Sequence, residues 1–175
     1  MVCCVTGHRP KGFCFPREDG NPLFLHYYAQ ILDDISELID LGCDRFITGM
    51  AEGADIDFAM AVLSFKKAYT HIRIEAAVPC PIRLPVNYSE YHRRRDLVLA
   101  QCDKIHLVSD HYFEGCMDKR NRFMVDQADI VYAIWNGRRS GGTWNTIKYA
   151  RKCGKKIRYL MLNEVDGFGV KALMN

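Results

Sequence analysis

Two glycine-rich turns in the sequence could bind an anion through the main chain. In the first, an apolar run ending at Thr48 is followed by Gly49 and Gly53 and then by an amphipathic helix pattern. The second turn also lies between an apolar run and a helical pattern, and it reads Ser140, Gly141, Gly142 and Thr143. Glycine lets a ligand approach the backbone closely, and the N–H groups at a helix start favour negative charge. Both turns therefore predict a phosphate ligand.

The first turn has a second interpretation. Gly49 and Gly53 could serve only the geometry of a tight connection between a strand and a helix. Glu52 and Asp55 could cap the backbone of that helix, or they could bind the hydroxyl groups of a ribose. Gly53 and Ala54 begin the helix whose amide groups would face the ligand. Both interpretations remain open at the level of the sequence.

Polar side chains also follow other apolar runs. The first run leads into Gly7, His8 and Arg9. His8 could donate to the ligand or be satisfied by neighbouring loops, and Arg9 favours an anion. Arg120 carries a planar set of donors that suits a second phosphate or a carboxylate, and the alternative is an exposed helix arginine. Further candidates for ligand contact are Ser109, Asn121 and Asn145.

Hydrophobic periodicity predicts that strands and helices alternate along the chain. Short apolar runs predict strands at residues 1–5, 44–48, 72–78, 104–108, 130–135 and 156–162. Helical spacing predicts helices at residues 22–41, 53–68, 89–101, 115–128 and 143–152. This alternation is typical of an α/β fold, with a mostly parallel Rossmann-like sheet of about six strands covered by helices on both faces. Ligands bind such sheets at the carboxyl ends of the strands, where most of the candidate residues fall.

Length and composition indicate one globular domain. The 175 residues are 49% hydrophobic and 26% charged, which is ordinary for a folded protein. We expect one domain over residues 1–175, with a core at 1–162 and a short polar tail at 163–175. The formal charge of +3 is too small to indicate a nucleic-acid surface, so nucleic acid is a disfavoured partner that stays open. The short basic run at residues 93–95 is interpreted as a solvated helix face.

The eight cysteines do not form a zinc-binding pattern. They contain no Cys-x-x-Cys pair, and no paired histidines accompany them. The sequence also lacks a P-loop and a dinucleotide fingerprint, so we predict neither a metal nor a cofactor. There is no charged-then-apolar leader and no apolar stretch of about 18 residues. We therefore expect a cytoplasmic protein with reduced thiols and no membrane partner.

Four short blocks resemble the signature blocks of the SLOG superfamily. They occupy residues 7–10, 49–55, 117–121 and 140–143. The superfamily is named for the DNA-processing protein DprA (Smf) and the LOG phosphoribohydrolases, and the sequence is most similar to its small YpsA-like branch. The resemblance covers about residues 1–162. It implies a Rossmann-like sheet that binds nucleotide-derived ligands.

The resemblance also implies roles for individual residues. The arginine of the LOG motif Met-x-x-Arg is matched by Arg120, and the LOG phosphate turn is matched by Gly141, Gly142 and Thr143. The positions of the LOG catalytic glutamate, however, hold Asn145 and Thr146. Asparagine cannot supply the carboxylate that would activate water or stabilise an oxocarbenium-like centre. The sequence therefore favours binding over catalysis.

Three functions follow from this sequence. We expect the protein to capture a small phosphate-bearing nucleotide derivative, either related to ADP-ribose and NAD or a nucleoside monophosphate, as a sensor or sequestering module. The first alternative is a LOG-like phosphoribohydrolase with Arg120 and Glu52 as catalytic residues. The second is DprA-like binding of single-stranded DNA. Because members of the superfamily often pair, we also expect a homodimer.

Overall fold

The protein is one α/β domain built around a six-stranded sheet. The structure is a computed structural model that describes residues 1–82 and 86–162. Residues 83–85 and the predicted tail at 163–175 lie outside the described residues. In chain order the elements are β1 (Val2–Gly7), α1 (Pro22–Asp40), β2 (Arg45–Thr48), α2 (Ala54–Lys66), β3 (Arg73–Val78), α3 (Glu90–Gln101), β4 (Lys104–Leu107), α4 (Cys116–Gln127), β5 (Ile130–Trp135), α5 (Gly141–Lys152) and β6 (Lys156–Met161). A 3-10 turn at Pro10–Gly12 follows β1, within a stretch for which the sequence predicts only a loop.

All neighbouring strands of the sheet run parallel. Their spatial order is β4-β3-β2-β1-β5-β6. In the centre, Cys4 of β1 pairs with Ile47 of β2 on one side and with Val131 of β5 on the other. The chain thus runs outward from β1 to β4 and then returns to β5, on the opposite side of β1. This reversal makes the carboxyl ends of β1 and β5 the point where a parallel sheet most readily opens a ligand crevice.

Helices cover both faces of the sheet, as the sequence predicts. Helices α1, α2 and α3 pack side by side on one face, and α4 and α5 pack together on the other. Alternate residues of each strand point to opposite faces, so Phe46 joins the core under α1–α3 while Ile47 joins the core under α4 and α5. Strands β1 and β5 are buried on both faces, which explains their continuous apolar sequences.

Helix α1 shows how local sequence sets the element boundaries. The Asn21 side chain accepts hydrogen bonds from the N–H groups of Leu23 and Phe24, and Pro22 occupies the first helical position. The helix ends at Asp40, and Gly42 just beyond it has a φ of 93°, which is readily adopted only by glycine. Its buried face carries Tyr27, Ile31, Ile35 and Leu38, at the helical spacing seen in the sequence. None of the helices in the described residues has the length and hydropathy needed to cross a membrane.

Candidate functional site

The turn after β2 is filled by an arginine from α4. Arg120 is buried, with 5% of its surface exposed, and its Nη1 donates a hydrogen bond to the carbonyl of Gly49. A Cβ at Gly49 would collide with this guanidinium group, so a larger residue there would displace the Arg120 side chain. The alternative of an exposed helix arginine is therefore wrong. Arg120 is a buried group whose Nε has no hydrogen-bond partner among the described residues.

Asp55 completes this closed arrangement. Its Oδ2 lies 4.0 Å from Nη1 of Arg120 and accepts a hydrogen bond of 3.3 Å from the N–H of Ala51. Burial raises the pKa of the Asp55 carboxyl, and the charge of Arg120 and the Ala51 amide partly offset that rise. The Asp55 side chain is thus directed toward protein groups, but the N–H from which it accepts precedes α2, so it does not cap the backbone of that helix. We call Gly49, Gly53, Asp55 and Arg120 the closed turn.

Gly53 is also explained by close packing. Its φ is 101°, and a Cβ there would lie 2.5 Å from the carbonyl oxygen of His8 and 3.0 Å from Cα of Arg9. The next residue, Ala54, donates its N–H to the same His8 carbonyl at 3.1 Å and packs against Gly7. The start of α2 therefore holds the segment after β1. Its first amide is used inside the protein and does not face an empty space.

The glycines of the turn after β5 are not packed against other protein atoms. A Cβ at Gly141 or Gly142 would meet no atom within 4 Å. Helix α5 begins at Gly141, two residues earlier than the sequence predicts, so both glycines belong to its first turn. Among the described residues, no acceptor is bound to the N–H groups of Gly141, Gly142 or Thr143. We call residues 140–143 the open turn, since its amides are oriented outward from a helix start.

Basic and aromatic groups surround the open turn. Arg138 and Arg139 precede it and are exposed. Trp144 follows it and stacks on Trp135, with ring centroids 5.4 Å apart and an interplanar angle of 12°. Arg139 lies 5.9 Å from the Trp144 ring. These are the two tryptophans of the chain, so tryptophan fluorescence reports on this turn alone.

The segment that carries the open turn is also unusually basic. Residues 130–162, which form β5, α5 and β6, contain eight of the 24 basic residues and none of the 21 acidic residues. This asymmetry is hidden in the formal charge of the whole chain. Of these eight, Arg138 and Arg139 adjoin the open turn, whereas Lys152, Lys155 and Lys156 lie at the opposite end of α5 and at the start of β6. The charge that favours an anion at the open turn therefore comes from Arg138 and Arg139.

His8 connects the two turns. Its main-chain carbonyl contacts α2, while its side chain lies near Asn136 on the way to the open turn. Burial lowers the pKa of His8, the Asn136 side chain raises it and the charge of Arg138 lowers it again, with a net decrease. Its buried Nε2 has no hydrogen-bond partner among the described residues. His8 is therefore a half-buried imidazole whose neutral form is favoured.

Two cavities flank the loop between β2 and α2. The smaller cavity, of about 180 Å³, contains three arginines, Arg9, Arg95 and Arg120, together with main chain from residues 49–51 and 78–82. The larger cavity, of about 460 Å³, lies between α1, α2 and α3 and is lined by Arg17, Asp19, Phe24, Leu25, Tyr28, Glu52, Gly53, Ile56, Glu90, Tyr91 and Arg94. The two share Tyr91, whose hydroxyl donates to the Met50 carbonyl at 2.9 Å.

Several cavity residues were not identified from the sequence. Arg94 and Arg95 lie in the basic run interpreted as a solvated face, yet Arg95 is buried and Arg94 binds Asp57. Only Arg93 of that run is largely exposed, and it pairs with Glu90. The interpretation is wrong for two of the three arginines. A signal was present, because Asp57 is an acidic residue on the buried side of a helix and needs a cationic partner.

Other predicted site residues lie apart from both turns. Ser109 follows β4, at the edge of the sheet farthest from β5. Asn145 is exposed in a groove between α4 and α5, beside Arg122 and Lys148. Asn121 lies on α4 and lines none of these cavities. Thr143 is buried, and Glu52 is exposed at the rim of the larger cavity.

No cluster of three or more histidine, cysteine or acidic side chains in the described residues could hold a metal ion. No disulfide bond joins cysteines within the described residues. Burial raises the pKa of Cys4 to about 12 and that of Cys102 to about 11, so neither is a nucleophile near neutral pH. The chemistry of this edge therefore rests on main-chain amides, arginines and one histidine.

The fold and these turns define a Rossmann-like α/β protein whose candidate site lies at the carboxyl edge of a parallel sheet. Residues 3–164 match the YspA SLOG family, and the chain belongs to that family. The resemblance seen in the sequence is thereby confirmed.

Two bacterial proteins are similar to this chain in sequence. The chain is 30% identical over 145 residues to an uncharacterized SPbeta prophage-derived protein, YoqJ, of Bacillus subtilis (strain 168). The matched region covers 75% of this chain and 84% of the relative. It is 20% identical over 167 residues to a UPF0398 protein of Bacillus pumilus (strain SAFR-032), covering 94% and 89% respectively.

Proposed function

We propose that the protein binds a phosphate-bearing nucleotide derivative at the carboxyl edge of the sheet, as a sensor or sequestering module. The ligand is either related to ADP-ribose and NAD or is a nucleoside monophosphate. The observation that carries this proposal is the open turn, where the amides of residues 141–143 have no acceptor among the described residues. A phosphate oxygen there would accept hydrogen bonds from these amides and gain about 0.3–1 kcal/mol from the helix dipole.

The charge distribution supports the same ligand class. Arg138 and Arg139 adjoin the open turn, and residues 130–162 carry no acidic side chain to repel a phosphate. Serine at position 140 and threonine at position 143 add hydroxyl groups to the same turn. The site therefore combines main-chain donors, which do not select for sequence or base, with cations that select for negative charge.

The positions and partners of the acidic groups at this edge favour binding without turnover. Cleavage of an N-glycosidic bond needs a carboxylate near the reacting carbon. Asp55 is occupied by Arg120 and the Ala51 amide, and position 145 holds an exposed asparagine. Glu52 lies at the rim of the larger cavity. Incubation with AMP, followed by chromatography for free adenine, is therefore expected to return intact AMP.

Substitution of Gly142 tests the binding site directly. Calorimetry and tryptophan fluorescence with ADP-ribose, NAD, AMP and ribose 5-phosphate should detect binding, since both tryptophans adjoin the open turn. Gly142→Asp places a negative charge among the amides and should weaken binding at least tenfold. Gly142→Asn has nearly the same shape without the charge and should weaken it much less. Equal affinities for the two variants, or no binding by any of the four compounds, would contradict the proposal.

A further inference from the structure

The floor of the larger cavity is fixed by a buried carboxylate. Asp57 has no exposed surface, and its two oxygens accept hydrogen bonds from Arg17 at 2.6 and 2.7 Å. Tyr27 donates to the same carboxylate at 3.1 Å, and Arg94 lies 3.1 Å from it. One carboxylate thus holds two guanidinium groups. These carry more N–H donors than Asp57 can accept, so the floor keeps donor capacity. The lining as a whole is not cationic, because Asp19, Glu52 and Glu90 also belong to it.

Aromatic and apolar side chains form the walls. Phe24 and Tyr28 come from α1, Ile56 from α2 and Tyr91 from α3. The rings of Phe24 and Tyr28 are 6.4 Å apart, and Arg17 lies over Phe24 at 5.8 Å. A planar heterocycle would find ring faces along the walls and N–H donors at the floor.

The rim supplies a different kind of group. Glu52 is exposed at the mouth of the cavity, on the loop between β2 and α2. Acidic side chains in this position of Rossmann-like folds accept hydrogen bonds from ribose hydroxyl groups. Donors at the floor, rings in the walls and a carboxylate at the rim together match a nucleoside.

The cavity and the open turn lie on different sides of β1. Gly53 lines the cavity, and its main chain packs against His8 and Arg9 of the segment after β1. That segment separates the cavity, on the β2 side, from the open turn, on the β5 side. Adjacent strands are about 4.8 Å apart, so β2 and β5 are separated by two strand intervals, about 10 Å. The cavity lies between α1, α2 and α3, whereas the open turn begins α5 on the opposite face of the sheet, so the two regions are farther apart than the strands themselves. A phosphate attached directly to the ribose in the cavity does not span this distance.

Arg9 lies along the path between the two regions. It is exposed and lines the smaller cavity, and its charge acts on Tyr91 in the wall of the larger one. A guanidinium group in this place can bind both phosphates of a diphosphate bridge. The path therefore favours a ligand with negative charge between its two ends.

We infer that the larger cavity is the nucleoside subsite of a nucleotide with a diphosphate bridge, whose far end reaches the open turn. This inference rests on the proposed function and selects ADP-ribose-like ligands over nucleoside monophosphates. The heterocycle lies among Phe24, Tyr28 and Tyr91, and the diphosphate crosses the β1 segment beside Arg9.

A pair of matched substitutions on α1 tests the subsite. Leu25 lines the cavity and Leu41 lies just beyond the other end of the helix, and both are exposed, at 55% and 61%. Leu25→Trp therefore narrows the cavity without altering the core, and Leu41→Trp is its control. Calorimetry with ADP-ribose, AMP and ribose 5-phosphate gives the affinities of all three proteins.

The wild type and Leu41→Trp should bind ADP-ribose at least tenfold more tightly than AMP or ribose 5-phosphate. Leu25→Trp should lose that advantage and keep the affinity for ribose 5-phosphate. If Leu25→Trp binds ADP-ribose as the wild type does, or if AMP equals ADP-ribose in the wild type, the subsite is refuted. In that case the proposed function still stands if the wild type binds ribose 5-phosphate and Gly142→Asp does not. If none of the three compounds binds, the subsite is refuted, and if NAD does not bind either, the proposed function is refuted with it.

Discussion

At the turn after β2, a Cβ on either glycine would meet protein atoms, whereas at the turn after β5 it would meet none within 4 Å. In the closed turn, Gly49 makes room for Arg120 and Gly53 makes room for the segment after β1. In the open turn, the amides of residues 141–143 remain available to a ligand. Two glycine-rich turns at one edge of one sheet therefore have different physical causes, and contact with the rest of the protein distinguishes them.

The closed turn is expected to depend most on its buried charge pair. Arg120→Met leaves Asp55 buried without its cation, which should lower the free energy of unfolding by about 3–5 kcal/mol. Arg122→Met, an exposed position on the same helix, should change it by no more than about 0.5 kcal/mol. Urea unfolding followed by circular dichroism gives both values.

The double variant Asp55→Asn, Arg120→Met adds a second test of the same pair. It removes both charges, so it should be more stable than Arg120→Met alone. Equal stability of the single and double variants would show that the pair does not account for the loss.

Alanine at one glycine of each turn sharpens the comparison. Gly53→Ala forces a side chain into a φ of 101° and against the His8 carbonyl, which should cost about 2–4 kcal/mol. Gly142→Ala adds a methyl group to an unoccupied space in the first turn of α5. Its effect should be stabilising and no larger than about 1 kcal/mol. Similar losses for the two variants in urea unfolding would remove the distinction between the turns.

Aspartate at Gly142 should separate stability from binding. A negative charge in the first turn of a helix stabilises it by about 0.3–1 kcal/mol. Gly142→Asp should therefore unfold at the same or a higher urea concentration than the wild type, although it binds phosphate compounds more weakly. A destabilised Gly142→Asp variant would mean that the open turn has contacts of its own to lose.

The smallest expected effect concerns His8, between the two turns. The pKa of His8 is lower in the folded protein than in the unfolded chain. As the pH falls below about 6.5, the unfolded chain therefore binds more protons than the folded protein does. Stability due to neutral His8 is thus present above that pH and is lost on acidification, with a slope of at most about 1.4 kcal/mol per pH unit. Urea unfolding of the wild type and of His8→Gln from about pH 8 to about pH 5 should show a shallower decrease in the free energy of unfolding for the variant. Parallel curves would exclude this contribution.

The fold could be predicted from the sequence because its signals are local and consistent. The continuous apolar run of β5 and the capped, periodic sequence of α1 each define their element without reference to distant residues. The start of α5 was less well predicted, because Gly141 and Gly142 have low helix propensity yet occupy the first helical turn.

The site was predicted only in part, because its contacts are long-range. The sequence identified Gly49, Gly53 and Arg120 but could not show that they pack against one another across the sheet. The network of Asp57 with Arg17 and Arg94 joins three separate segments, and no spacing in the sequence records it. Ligand contact by the predicted site residues stays a prediction.

The acid-free segment that carries the open turn has a consequence for kinetics. Within it, the exposed Arg138 and Arg139 would attract a diffusing anion to the open turn and raise the association rate constant at low ionic strength. Stopped-flow measurements at increasing sodium chloride should show association slowing steeply, while dissociation changes little. Such a dependence on salt would show that exposed charges set the rate at which the proposed anionic ligand reaches the open turn.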